Sequence, residues 1–307
     1  MDGRTKIRQM IQENIANKKN TTDKIMPRFF FLMAFVSVAT TFGIIATLVT
    51  DAYKFFSVVP LSEVFSTRLA PLNANPSFGI LPLITGTVMT TLIAMMVAVP
   101  VGLTAAIFLS QFASDKMRKI LKPIMEVLAG IPTIVYGFFA YSFVTPMLMR
   151  IIPSLGAKNA LSPGIVMGIM IIPLVASLSE DAMNSVPEIM REGALGLGST
   201  KLEVTFKVVI PAAISGIMAS IVLAVSRAIG ETMIVTIASG SSKAFTLDIT
   251  QSMQTMTAYI VEFTSGDAAS GTTGYYSLYA VGLLLFVFTM GINLIAQHIS
   301  KKYREEY

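Results

Sequence analysis

Two charged residues stand four apart in a stretch, residues 211–238, that carries no other charge: Arg227 and Glu231. In an unbroken helix that spacing puts both side chains on one face, within pairing reach. At mid-bilayer each ionised group costs about 2.5 to 3.5 kcal/mol on insertion scales, so both are expected to face a bundle interior or a wet cavity. The chemistry available is oxyanion recognition, because the planar guanidinium fork matches carboxylate and phosphate geometry, with Glu231 holding or gating the arginine. The alternative is a neutral pair that locks two helices. Ser226, Thr232 and Thr236 place hydroxyls beside the pair and can line the same path. Glu126, near the inner edge of another apolar stretch, is a secondary candidate or an interfacial anchor. The chain has no cysteine and a single histidine, His298, so disulfides, thiolate metal sites and histidine acid–base catalysis are nearly excluded. An intramembrane enzyme using Glu231 or Glu126 as a base finds no supporting constellation.

Those residues need apolar elements to position them, and the composition supplies these. Of 307 residues 53% are hydrophobic and only 13% charged, about half the charged fraction of an average soluble domain. Crossing a hydrocarbon core takes roughly 20 apolar residues as helix, and six stretches qualify, near 29–50, 83–109, 124–148, 161–178, 211–238 and 276–298. They are apolar all round, which predicts an all-α integral membrane protein and makes strands unexpected. The third and fourth stretches contain Gly130, Pro132, Gly137, Gly164, Gly168 and Pro173, interruptions that membrane helices tolerate where neighbours satisfy the freed backbone. With the N-terminus inside, 17 of the 23 Lys and Arg residues fall on the inner side and five on the outer, so both termini are expected in the cytoplasm. The first apolar stretch follows a long polar segment and is too long for a signal core, so it is expected to be retained. The organisation expected is a cytoplasmic arm at 1–28, a membrane domain at 29–300 and a cytoplasmic tail at 301–307. The net charge of +5 reports membrane orientation rather than nucleic-acid binding.

One inner loop, 179–210, is long and structured by its own chemistry. Ser185 followed by Pro187 and Glu188 reads as a helix start, Gly196 and Gly198 as a stop, and Thr200 with Glu203 as a second capping box. The prediction is a helix, a glycine break and a second helix, forming a rigid protrusion below the membrane.

Within that loop Glu192-Gly193-Ala194, then Gly198, then Val208, Ile210 and Pro211 resemble the "EAA" loop of ATP-binding-cassette importer permeases. The spacings match, with Gly193, Val208 and Ile210 replacing alanine, isoleucine and leucine. The resemblance implies a type I importer permease fold in which Glu192, Gly193, Ala194 and Gly198 form a coupling element that docks on a separate ATPase. No G-x-x-x-x-G-K-[ST] loop occurs in the chain, so ATP binding and hydrolysis are expected of a partner and no cofactor of this chain itself. The segments Ser77 to Leu83 with Gly86-Thr87, Glu126 to Pro132, Leu178 to Ala182, and Arg227-Ala228-Ile229-Gly230-Glu231-Thr232-Met233 further resemble the PstC-type permeases of phosphate-specific importers, over roughly residues 29 to 300. That resemblance implies a bacterial inner-membrane phosphate permease, a PstA-type sister permease, two ATPase subunits and an extracytoplasmic phosphate-binding protein. A sister-type subunit, a permease for phosphonate, sulfate or molybdate, and a phosphate-sensing scaffold remain as alternatives.

Overall fold

The computed structural model describes residues 6–8, 10 and 21–302. Most of the arm expected at 1–28 and of the tail at 301–307 thus lies outside the described residues, and from Thr21 onward the arm is helix. The chain divides into two compact units, Met1–Asp51 and Ala52–Tyr307.

In the first unit the described structure is dominated by helix α1 (Thr21–Phe56), whose final residues belong to the second unit. Its proline, Pro27, stands close to the start of the helix, where few carbonyls are left without a partner. The hydroxyls of Thr40, Thr41 and Thr50 donate to the carbonyls of Val36, Ser37 and Ala46, four residues back. Folding hydroxyls onto the helix in this way satisfies them in a solvent that cannot.

The second unit continues with α2 (Leu61–Val64), a two-stranded antiparallel hairpin of β1 (Leu69–Ala70) and β2 (Ser77–Phe78), and α3 (Leu81–Phe112). Then come α4 (Asp115–Gly130), α5 (Thr133–Met149), α6 (Leu161–Asn184), α7 (Glu188–Gly196), α8 (Lys201–Ala212), α9 (Ile214–Ile229), α10 (Met233–Ala238), α11 (Met256–Glu262) and α12 (Thr273–Lys302). The small hairpin is the one departure from an all-α reading among the described residues.

Four helices are long and apolar enough to cross a membrane, and two bent pairs bring the number to the expected six when each pair counts as one span. The interruption expected of the third span at Gly130 and Pro132 is a sharp one: α4 and α5 meet at 88° across Ile131 and Pro132. Proline lacks the N–H that would continue the ladder and pushes Ile131 to an extended backbone. The Tyr136 hydroxyl donates to the Leu128 carbonyl at 2.8 Å and so reconnects the two sides of the bend. Within 124–148 the one charged residue, Glu126, falls on α4, and α5 carries none. The expected fifth span is also broken, with a 69° bend at Ala213 and a second interruption between α9 and α10.

Small residues set how closely the spans approach. A Cβ on Gly168 of α6 would lie 2.7 Å from Val97 Cβ and 2.8 Å from the Ala94 carbonyl oxygen of α3. Without a hydrophobic force between helices in lipid, such contact by small side chains is what holds them together. Around it Ala94, Ala98, Val166, Met167, Ile171 and Val175 are buried with Tyr136, Ala224 and Ile234 of the neighbouring helices. Gly168→Val is therefore expected to lower thermal stability in detergent, overpacking costing about 1–3 kcal/mol, whereas Gly193→Ala, with nothing within 4 Å, is expected to leave it unchanged or slightly raised. Melting of the purified variants checks both.

Candidate functional site

The interruption of the fifth span decides what Arg227 and Glu231 do. Helix α9 ends at Ile229, Gly230 to Thr232 leave the helical path, and α10 restarts at Met233. The new helix start exposes backbone donors, and Glu231, only 9% exposed, turns its carboxylate onto them. Its Oε1 accepts from the N–H groups of Met233 at 3.1 Å and Ile234 at 3.3 Å. The Thr257 hydroxyl of the neighbouring α11 segment donates to the Glu231 carbonyl at 2.7 Å. The pairing that the four-residue spacing predicts in a continuous helix is thus not formed, because the helix is not continuous and the carboxylate is engaged as a cap.

Arg227 has no hydrogen bond or ion pair through its side chain among the described residues. It borders a cavity of about 330 Å³ shared by α4, α6 and α9, lined also by Glu126, Lys122, Glu180, Pro173 and Ser177. Lys122 is already neutralised there by Glu180, at 2.9 Å. The structure therefore brings Arg227 and Glu126 to one cavity and leaves Glu231 outside its lining. Ser226 donates to Asn293 at 2.6 Å and ties α9 to α12. Thr232 Oγ1 donates to the Gly230 carbonyl at 3.2 Å, and its own carbonyl accepts from Thr236 at 2.6 Å. These hydroxyls serve the break in the helix rather than the cavity wall. Lys122 and Glu180, from segments 58 residues apart, are the residues sequence reading missed; the acidic residue near the end of an apolar span was the available signal.

The loop at 179–210 folds as the helix, break and helix expected. The start differs: Pro187 is the residue ahead of α7, and no side chain caps it. Ser185 donates instead to the Ala182 carbonyl at 2.7 Å, so its hydroxyl is spent on the end of α6. At the other end Gly198, at φ +90°, lets its N–H reach the Leu195 carbonyl at 2.9 Å and that of Ser199 reach Ala194 at 3.1 Å, the paired bonds of a Schellman stop. Thr200 and Glu203 then form the expected capping box. The Thr200 backbone N–H, followed by Lys207, holds the Glu203 carboxyl down at about 2. Because that value is depressed, the contribution of the cap is fully present above about pH 4.5 and is lost only as pH falls through about 2. Ala194 leans on a buried cluster of Met183, Val186, Val204 and Val209, while Glu192 and Gly193 face outward with Ile189, Leu195 and Leu197, the last 91% exposed.

A broken span beside a charged cavity, joined to a helical protrusion with an apolar outer face, is an arrangement that suits a membrane transport subunit. The family model described as "Binding-protein-dependent transport system inner membrane component" matches residues 98–305, and the chain belongs to that family. It is 34% identical over 277 residues to the phosphate transport system permease protein PstC of Mesorhizobium japonicum, covering 84% of this chain and 83% of that one. To PstC of Pasteurella multocida it is 33% identical over 301 residues, covering 90% and 91%. In fold it is similar to a chain of a bacterial alginate ABC transporter solved with its periplasmic protein, at a TM-score of 0.62 and 15% identity over 92% of this chain and 98% of that chain. The expected importer-permease fold is thus the one found.

If Glu231 caps α10 and does not pair with Arg227, the stability losses of Glu231→Ala and Arg227→Ala are expected to add within about 0.5 kcal/mol in the double variant. Glu231→Ala alone is expected to cost about 1 kcal/mol, with Glu231→Gln between it and the parent because the amide oxygen can still accept. Thermal unfolding of the four proteins checks this, and a large coupling between the two positions would contradict it.

Proposed function

We propose that this chain is one of two permease subunits of an ATP-driven phosphate importer and that Arg227 meets the phosphate on its way through. The reading rests on one observation above the others: a guanidinium that, among the described residues, has no carboxylate partner, exposed on the wall of an open cavity between α4, α6 and α9. An arginine in that state presents its fork to an oxyanion without first giving up an ion pair. Glu126 on the same wall weakens the hold on an anion, which suits a path from which the substrate must also leave. The curated relatives that are phosphate permeases support phosphate as the anion.

The other parts are supplied by partners. A PstA-type permease completes the path, two ATPase subunits bind and hydrolyse ATP, and an external phosphate-binding protein delivers the substrate. The surface for the ATPase is the outward face of α7 and the turn after it, with Glu192 and Gly193 beside the exposed Ile189, Leu195 and Leu197. An apolar, polar-rimmed face of this kind is what a protein partner covers.

The test is ATP-dependent phosphate uptake by vesicles that carry the whole complex. Arg227→Ala is expected to reduce it by about tenfold to a hundredfold, the equivalent of one charge-assisted hydrogen-bonding group at about 1.5–3 kcal/mol. Arg227→Lys is expected to fall between, since the charge stays and the fork is lost. Uptake unchanged in Arg227→Ala, or sulfate competing as well as phosphate in the parent complex, would overturn the assignment. Independently, Leu197→Asp or Glu192→Lys is expected to reduce the amount of ATPase that co-purifies with the permease.

A further inference from the structure

The most deeply buried carboxylate described in this chain lines the cavity beside Arg227 but is already held there by a cation. Glu180 is 2% exposed and stands one turn before the end of α6, the helix from which the docking protrusion springs. A buried carboxylate must be paired or neutralised. Its partner is Lys122 of α4 at 2.9 Å, with the Asn184 side-chain amide a weaker donor at 3.4 Å.

The surroundings of this pair connect the two ends of the machine. On the docking side, the Arg191 guanidinium of α7 donates to the Met183 carbonyl, three residues beyond Glu180 on α6. Met190 and Ala194 of α7 pack on the cluster that contains Met183 and Val186. Asn184 also accepts from Ser110 of α3 at 2.9 Å, and the Arg118 guanidinium of α4 donates to the Leu109 and Ser110 carbonyls at 2.7 and 2.8 Å. On the cavity side, the same α4 that carries Lys122 presents Met125, Glu126 and Ala129 to the space that Arg227 borders, and it meets α5 at a sharp bend. Any shift of the α6 end relative to α4 either carries Lys122 along or leaves the Glu180 side chain with only the weaker Asn184 donor.

We infer that the Glu180–Lys122 ion pair couples the docking helix to the cavity wall, with Glu180 a positioning residue that acts through Lys122 and α4. Motion imposed on α7 reaches Met183 through Arg191 and apolar contact. The ion pair passes it to α4, and with it to Glu126 and the space around Arg227. A pair that only stabilised the fold would change the amount of complex and leave the efficiency of the remainder alone. A coupling pair changes the number of phosphate ions moved per ATP hydrolysed.

The inference rests on the phosphate-importer reading, and the experiment separates the two. Reconstituted complexes with Glu180→Gln, Lys122→Gln and both changes are compared with the parent for assembly, ATPase rate and phosphate moved per ATP. A parent complex that takes up no phosphate refutes the importer reading. Given uptake by the parent, each single variant is expected to assemble and hydrolyse ATP but to move about tenfold less phosphate per ATP, equivalent to about 1.4 kcal/mol of lost coupling. The double variant is expected to be no worse than either single, as partners in one interaction require. Should Glu180→Gln fail to assemble, Lys122→Gln, at a position 44% exposed in its side chain, carries the test. An unchanged ratio in an assembled variant, additive losses in the double, or failure of both singles to assemble would each overturn the inference.

Discussion

A helix that starts inside a bilayer leaves backbone donors with no water to accept from them, and the local arrangement of the fifth span follows from how that is resolved. Gly230 to Thr232 interrupt the ladder, and the Glu231 carboxylate bends back to take the N–H groups of Met233 and Ile234. Thr257 closes the other side by donating to the Glu231 carbonyl. The acid is thereby committed to the backbone. Arg227, one turn before the break, is left without the acid that its spacing seemed to provide. A single capping interaction thus occupies one of the two charges and leaves the other without it.

The same logic separates what could be read in the sequence from what could not. Long apolar runs and basic inner loops identify the spans, since nothing else in a chain of this composition would bury them. The Thr200 and Glu203 box and the Gly198 stop were legible because each is a contact between residues three to five apart. The failures also share a cause. Pairing of Arg227 with Glu231 assumed an unbroken helix, and the sharpness of the bend within 124–148 was not visible because membrane helices tolerate the very residues that break soluble ones. Ser185 had two acceptable uses, and the end of α6 took its hydroxyl. Lys122 and Glu180 are joined only by the packing of α4 on α6, which no local pattern encodes.

Two kinds of rigidity coexist in the second unit. Between α3 and α6 the contact is made by glycines against neighbouring backbone and branched side chains, so sliding meets hard repulsion. At the base, a cluster of Met183, Val186, Val204, Val209 and Ile217 seats the protrusion on the span ends. Between them lies the bent α4–α5 pair, held across its bend by one tyrosine hydroxyl. Helix α4 of that pair forms one wall of the cavity, which α6 and α9 complete.

The outward face of α7 carries a consequence for the life of the subunit before assembly. Leu197 is 91% exposed and Ile189 78% exposed in the single chain. A newly made copy without the ATPase partner proposed above shows the features by which quality-control proteases and chaperones select clients. Its steady-state abundance should then follow the supply of that partner more closely than its own rate of synthesis, so that unbalanced expression of the subunits is corrected by turnover.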